Sequence, residues 1–271
     1  MYDFYFGTPA EIEADEEGFL LGVKRLLPRW VNSIPDSEYL ALHQLFEKHC
    51  RKQRPVLVET GVGASTIALL HSAMKYDGVL YSWDIANPKG AELRNICTDT
   101  LEQHHRKSIW DHWRFVAYSS LSEYLGIPIL RELDEQVDFC FLDSEHTWCT
   151  LRGELEYLKD VLAPNAIVTI DDANYDYDHV NIAYVNMFRK KLDLAPVDGQ
   201  ANNSCRGFGV ETEALLQEHF DTVNHLDHGY SDSWETDLFY AWYNNSRKPM
   251  LEDGMEKQDK LAERFRAWKI G

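Results

Sequence analysis

Hydrophobic and polar positions change rhythm along this chain near residue 55. Before it, an acidic stretch (Glu11, Glu13, Asp15, Glu16, Glu17) leads into Leu20, Leu21, Val23, Leu26 and Leu27, and Pro28 ends that segment. A second helical segment follows, with Asp36 or Ser37 as N-cap, Glu38 in the first turn, and Leu40, Leu42, Leu45 and Phe46 as apolar positions. From residue 55, short β-prone runs alternate with helical patterns. Strands are predicted at 55–59 (PVLVE), 78–83 (GVLYSW), 113–118 (WRFVAY), 137–142 (VDFCFL) and 166–170 (AIVTI). Helices are predicted at 66–74, at 91–105, within 121–133, and over the stripe Leu151, Leu155, Leu158 and Leu162, with a turn at Pro164-Asn165. Beyond 175 the pattern predicts helices at 181–191 and 214–220 and strands at 207–211 (GFGVE) and 238–243 (LFYAWY). A charged amphipathic helix at 251–270 carries Leu261, Phe265 and Trp268 on one side.

Strand–helix alternation implies right-handed crossovers and an α/β fold, a doubly wound, mostly parallel Rossmann-like sheet. The predicted organisation is an N-terminal helical extension (1–54), the α/β domain (55–245) and a C-terminal helix (246–271) that packs on the domain or on a second copy. Ligands of such sheets collect beyond the carboxyl ends of the strands. The residues to weigh therefore lie at 59–65, 84, 119–120, 143–146 and 171–174.

Charge narrows the partners. The chain has 271 residues with 27 Lys+Arg against 45 Asp+Glu, a formal net charge of −18, which disfavours nucleic acid and anionic membrane. No apolar run approaches the ~20 residues that span a bilayer. Five cysteines without a CxxC pair suit a reducing compartment, so a cytoplasmic location is expected. The pairs His104-His105 with His112, and His219, His225 and His228, have no metal-ligand spacing and read as surface residues.

The segment E-T-G-V-G-A-S puts Glu59, Gly61, Gly63 and Ser65 at a strand-to-helix turn. It lacks the third glycine of GxGxxG and the GK[ST] of a P-loop, which argues against a dinucleotide cradle and NTP hydrolysis. Glu59 would repel a diphosphate and suits a cationic amine. Asp84, 25 positions later, ends the second strand, where a carboxylate accepts ribose hydroxyls. This pattern resembles the cofactor site of class I S-adenosylmethionine (SAM) methyltransferases. The resemblance implies that the glycine loop faces the amino-acid part of SAM and Asp84 its ribose, with Ser119-Ser120 near the adenine.

Asp143 ends the fourth strand and Asp171-Asp172 the fifth. On neighbouring strands their carboxylates would converge, and three together need a cation or protons. Oxygen ligation of this kind suits Mg²⁺ or Mn²⁺. Asp143-Ser144-Glu145-His146 followed by the acidic pair resembles the metal-dependent O-methyltransferases, in particular the macrolide-sugar O-methyltransferase and cephalosporin-hydroxylase-like families. That resemblance covers about residues 55–175. It implies that Asp143, Asp171 and Asp172 hold the metal and that His146 is the general base. Glu145 competes as base, Asn174 as ligand, and Trp148 with Tyr175 and Tyr177 as acceptor-stacking surface.

The expected activity is SAM-dependent, metal-assisted O-methylation of a small molecule or sugar. The alternatives are a metal-independent N- or O-methyltransferase and a SAM-binding protein without turnover. A nicotinamide oxidoreductase is disfavoured by Glu59 and the missing glycine.

Overall fold

The computed structural model describes residues 8–32, 34–171, 179–191, 193–196, 210–220, 224–226 and 238–240. Helices α1 (Pro9–Ala14), α2 (Glu16–Lys24) and α3 (Asp36–His49) come first. Then follow β1 (Val56–Thr60), α4 (Ala64–Lys75), β2 (Val79–Trp83), α5 (Asn87–Cys97), β3 (Trp113–Val116), β4 (Val137–Leu142), α6 (Trp148–Leu158) and β5 (Leu162–Ile170). The remaining described elements are α7 (His179–Lys191), α8 (Val210–His219), β6 (Asn224–Leu226) and β7 (Leu238–Tyr240).

The strands form one sheet in the order β3-β2-β1-β4-β5-β7-β6. The first five are parallel, and β7 runs antiparallel to both its neighbours. Strand order reverses between β1 and β4, which opens a crevice at their carboxyl ends. Side chains alternate between two cores. Leu57, Leu80, Phe139, Phe141 and Ile167 face α3, α4 and the N-terminal helices; Val58, Tyr81, Trp83, Leu142, Val168 and Ile170 face Leu151, Leu155, Leu158, Leu215 and Leu216. Full burial of each large apolar side chain stabilises the fold by ~1.5–3 kcal/mol. The five expected parallel strands are therefore present, with both faces covered.

Local differences have local causes. The N-cap of α3 is Pro35, without a side-chain cap, because Asp36 is drawn to the buried Lys24 at 2.6 Å. Of the expected helix within 121–133 only Ile129–Glu132 is helical. Upstream, Gly126 presses on the Ser120 carbonyl and donates its N–H to Ser122, which holds a turn instead. Val210 opens α8 rather than sitting in a strand at 207–211, since Leu215 and Leu216 must face the core. The turn at Pro164-Asn165 lies inside β5 as a bulge, with Asn165 at φ 65° and the pairing jumping from Val137↔Leu162 to Phe139↔Ile167.

The histidines need the largest correction. His112 is buried and its Nδ1 bonds the Gly78 carbonyl at 2.7 Å. His104 and His105 pack against His71 on α4, with ring centroids 5.9 and 4.8 Å away. A π turn at Thr98–Glu102 precedes them and shifts the helical phase of the side chains that follow. His219 stays near the surface by Glu156. The predicted helix at 251–270, Asp172, Asn174, Tyr175 and Tyr177 lie outside the described residues.

Candidate active site

The loop between β1 and α4 is pressed against the end of β4. Gly61 adopts φ +84°, and a β-carbon there would stand 1.8 Å from the Asp143 carbonyl oxygen, so only glycine fits. The Gly61 N–H donates to the Trp83 carbonyl (2.7 Å), and the Asp143 N–H to that of Thr60 (2.8 Å). The Gly63 N–H donates to Thr66 Oγ1 at 3.1 Å as α4 begins.

Glu59 is 0% exposed. Its carboxylate accepts from Ser65 (2.6 Å), Thr66 (2.8 Å) and Ser82 (3.0 Å), and the Ser82 oxygen accepts from the Trp113 indole (2.9 Å). Burial pushes its pKa up to about 8, against the pull of the three hydroxyls. Both Glu59 and Ser65 therefore build the loop from beneath rather than facing the crevice. Asp84 fastens the loop from the other side. Its oxygens accept from the Val62 N–H (3.0 Å) and the Ala86 N–H (2.6 Å), with Lys89 at 3.5 Å. A carboxylate has about four lone-pair positions, so capacity for hydroxyl donors is left over.

Ser119 caps the turn after β3, accepting from the Leu121 N–H. Ser120 points inward and donates to Glu154 at 2.6 Å. Glu154, 1% exposed on α6, has its pKa pushed up to about 7 by burial, which the Ser120 and Ser144 hydroxyls only partly offset. Sequence reasoning passed over Glu154, although the signal was there. It falls at the apolar spacing of Leu151, Leu155 and Leu158, a polar residue on an apolar stripe.

The strand-end acids do meet. Leu142 pairs with Ile170, and the Asp171 N–H donates to the Leu142 carbonyl at 3.1 Å. Donor atoms of Asp143, His146 and Asp171 all lie within 4.8 Å of one another. His146, in the left-handed region at φ 57°, turns its ring back over the strand ends. Its Nε2 stands 2.6 Å from Asp143 Oδ1 and 3.9 Å from Asp171 Oδ2. Burial, then the charge of Asp171, pushes the Asp143 pKa up to about 7, while His146 pulls it down. Two clustered carboxylates beside an imidazole form a mixed oxygen–nitrogen donor set that fits a hard divalent cation.

Glu145 is turned elsewhere. It accepts from Thr147 (2.7 Å), Thr150 (3.0 Å) and Arg189 Nη1 (2.5 Å). Its carboxylate is taken up by two hydroxyls and a guanidinium, which leaves His146 the better placed of the two. Arg189 was not foreseen: with Lys190 and Lys191 it makes a basic last turn, which helices favour generally. Trp148 packs on the second core with the Arg152 guanidinium 5.0 Å from its ring, so its face is already engaged.

A family model described as a methyltransferase domain matches residues 58–173. That stretch runs from β1 to just past the end of β5 and takes in the glycine loop, Asp84 and the strand-end acids. The chain is similar in fold to an S-adenosylhomocysteine-bound methyltransferase of Podospora anserina, at 14% identity over 85% of this chain and 88% of that one, with a TM-score of 0.51. It also aligns with an O-methyltransferase family protein of Burkholderia thailandensis at 13% identity and a TM-score of 0.46, covering 89% of this chain but only 63% of that one. Among proteins of curated function, none matches the sequence. No helix among the described residues is long and apolar enough to cross a membrane.

Proposed function

We propose that this protein is a SAM-dependent O-methyltransferase that activates an acceptor hydroxyl at Asp143, His146 and Asp171. One observation carries the reading: the donors of these three side chains converge within 4.8 Å, beside the Asp143 carbonyl on which Gly61 rests. In this reading the backbone of Gly61, Val62 and Gly63 and the Asp84 carboxylate hold SAM, with Glu59 and Ser65 shaping the loop and Ser119-Ser120 beside the adenine. Asp143, Asp171 and Asp172 would hold Mg²⁺ or Mn²⁺. When bound, SAM supplies an electrophilic methyl group and leaves as S-adenosylhomocysteine, and the cation lowers the pKa of the acceptor hydroxyl.

His146 takes the hydroxyl proton at Nδ1, while Nε2, 2.6 Å from Asp143 Oδ1, donates to that carboxylate, which stabilises the imidazolium that forms. Such general-base assistance is worth ~10²–10⁴ in rate. The Asp143 backbone touching the glycine loop keeps donor and acceptor subsites in fixed register, the orientation effect that supplies much of the remaining acceleration. The acidic net charge of −18 favours a small molecule or sugar over nucleic acid.

A metal-free reading is favoured by the same 2.6 Å contact, since an Asp143–His146 pair is a base in its own right. The test is release of S-adenosylhomocysteine with a panel of vicinal diols, catechols and sugars. Activity lost in EDTA and restored by Mg²⁺ supports the metal reading; full activity in EDTA supports the metal-free one. Calorimetric SAM binding without turnover on any acceptor would overturn both.

A further inference from the structure

Where α2 and α4 meet the segment after the π turn, three imidazoles gather. We propose that His71, His104 and His105 form a binding site for a late first-row divalent ion, Zn²⁺ foremost, which braces the N-terminal helices against the methyltransferase domain.

One nitrogen from each ring lies within 4.8 Å of the others. His105 Nε2 stands 3.1 Å from His71 Nδ1. Two nitrogens bound to tetrahedral zinc at ~2.0–2.1 Å stand about 3.3 Å apart, so this pair already spans one edge of the polyhedron. The other nitrogen of His71, Nε2, is 2.7 Å from Glu16 Oε1. That carboxylate fixes the proton on Nε2 and leaves the Nδ1 lone pair aimed at His105, the carboxylate–histidine–metal arrangement of zinc sites. Burial opposes ionisation of Glu16, yet hydrogen bonds from His43, His71 and Lys75 hold its carboxyl well below the usual range. The orienting group is thus an anion.

The rings are placed for this role. His71 is 0% exposed, and among the described residues the buried Nδ1 of His104 has no hydrogen-bond partner. Phe19 of α2 lies 4.8 Å from the His104 ring, closing the site with an apolar wall. Burial lowers the pKa of all three histidines, leaving the rings neutral and able to ligate. The adjacent group of Glu16, His43 and Glu47 is no rival, because the Lys75 ammonium already bridges Glu16 (2.8 Å) and Glu47 (3.0 Å). Imidazole nitrogen selects zinc-like ions, unlike the carboxylates of Asp143 and Asp171. Three protein ligands leave a fourth position for water.

Chelator-stripped wild type and D171N, which cripples the strand-end site, would be titrated with Zn²⁺ in competition with a chromophoric chelator, and with Co²⁺ by visible absorption. The expected result is one equivalent of Zn²⁺ bound by D171N and at least one by wild type, with the intense visible bands of four-coordinate Co²⁺ in both. H105A and H71Q, checked for folding by circular dichroism, should each weaken Zn²⁺ at least about 100-fold, and E16Q about 10–100-fold. No Zn²⁺ binding by wild type, a pale six-coordinate Co²⁺ spectrum, or unchanged affinity in folded H105A would overturn the proposal. If the variants do not fold, the wild-type Co²⁺ spectrum and stoichiometry decide it.

Discussion

Arg189 Nη1 lies 2.5 Å from Glu145 Oε1, joining α7 to the turn that carries His146. Removing one partner of a largely buried ion pair costs ~3–5 kcal/mol, and it frees Glu145 to compete for cations. Arg189→Ala should lower the urea midpoint and reduce kcat/KM at least about tenfold. Lysine should rescue only in part, since it lacks the guanidinium Nε that donates to the Ala195 carbonyl. An unchanged kcat/KM would remove α7 from the site.

At Gly61 the expected effect is on donor binding. Alanine would need φ +84° and would drive its β-carbon into the Asp143 carbonyl at 1.8 Å, so β1 and β4 must separate at their ends. Calorimetry should show SAM affinity falling more than about tenfold, a loss of over 1.4 kcal/mol. Wild-type affinity in Gly61→Ala would mean that the loop does not contact SAM.

His146→Ala and Asp171→Asn should behave differently from Gly61→Ala. Neither residue belongs to the glycine loop, so SAM binding should persist while turnover falls ~10²-fold or more. His146→Ala with wild-type turnover would exclude it as the base.

Glu59 gives a pH signature. Its folded pKa of about 8 lies above the ordinary 4.5, so the folded state holds the extra proton between these values. Its contribution to stability is full below about 4.5 and is lost as pH rises through about 8. Glu154, raised to about 7, acts with the same sign. Urea midpoints should therefore decline from pH 5 to pH 8, and Glu59→Gln should flatten the slope, further still when combined with Glu154→Gln. A slope unaltered by both substitutions would show that these carboxyls stay ionised in the fold.

The parallel sheet was legible because its strands are buried on both faces and separated by helical stripes, a pattern set by neighbours in sequence. Asp143 and Asp171 were legible as strand-end acids for the same reason. Glu154 and Arg189 were not, since each acquires its meaning from a partner about 34 or 44 residues away, Ser120 and Glu145 respectively. The histidine cluster was misread because the reading relied on ligand spacing along the chain, whereas His71 comes to His105 from α4, 34 residues away. Glu59 was legible as an acid at a strand end, but not its three hydroxyl donors, which come from α4 and β2.

The bulge at Asn165 makes β5 unequal along its length. Residues added or removed near Pro164 would spill into solvent, because Ile167, Val168 and Ile170 stay anchored in opposite cores. One residue lost between Ile167 and Asp171 would instead swing the terminal acid to the far face of the sheet, away from Asp143. Natural or engineered length variation is thus safe on one side of Asn165 and ruinous on the other, so a deletion scan across this strand would map how much spacing the chemistry tolerates.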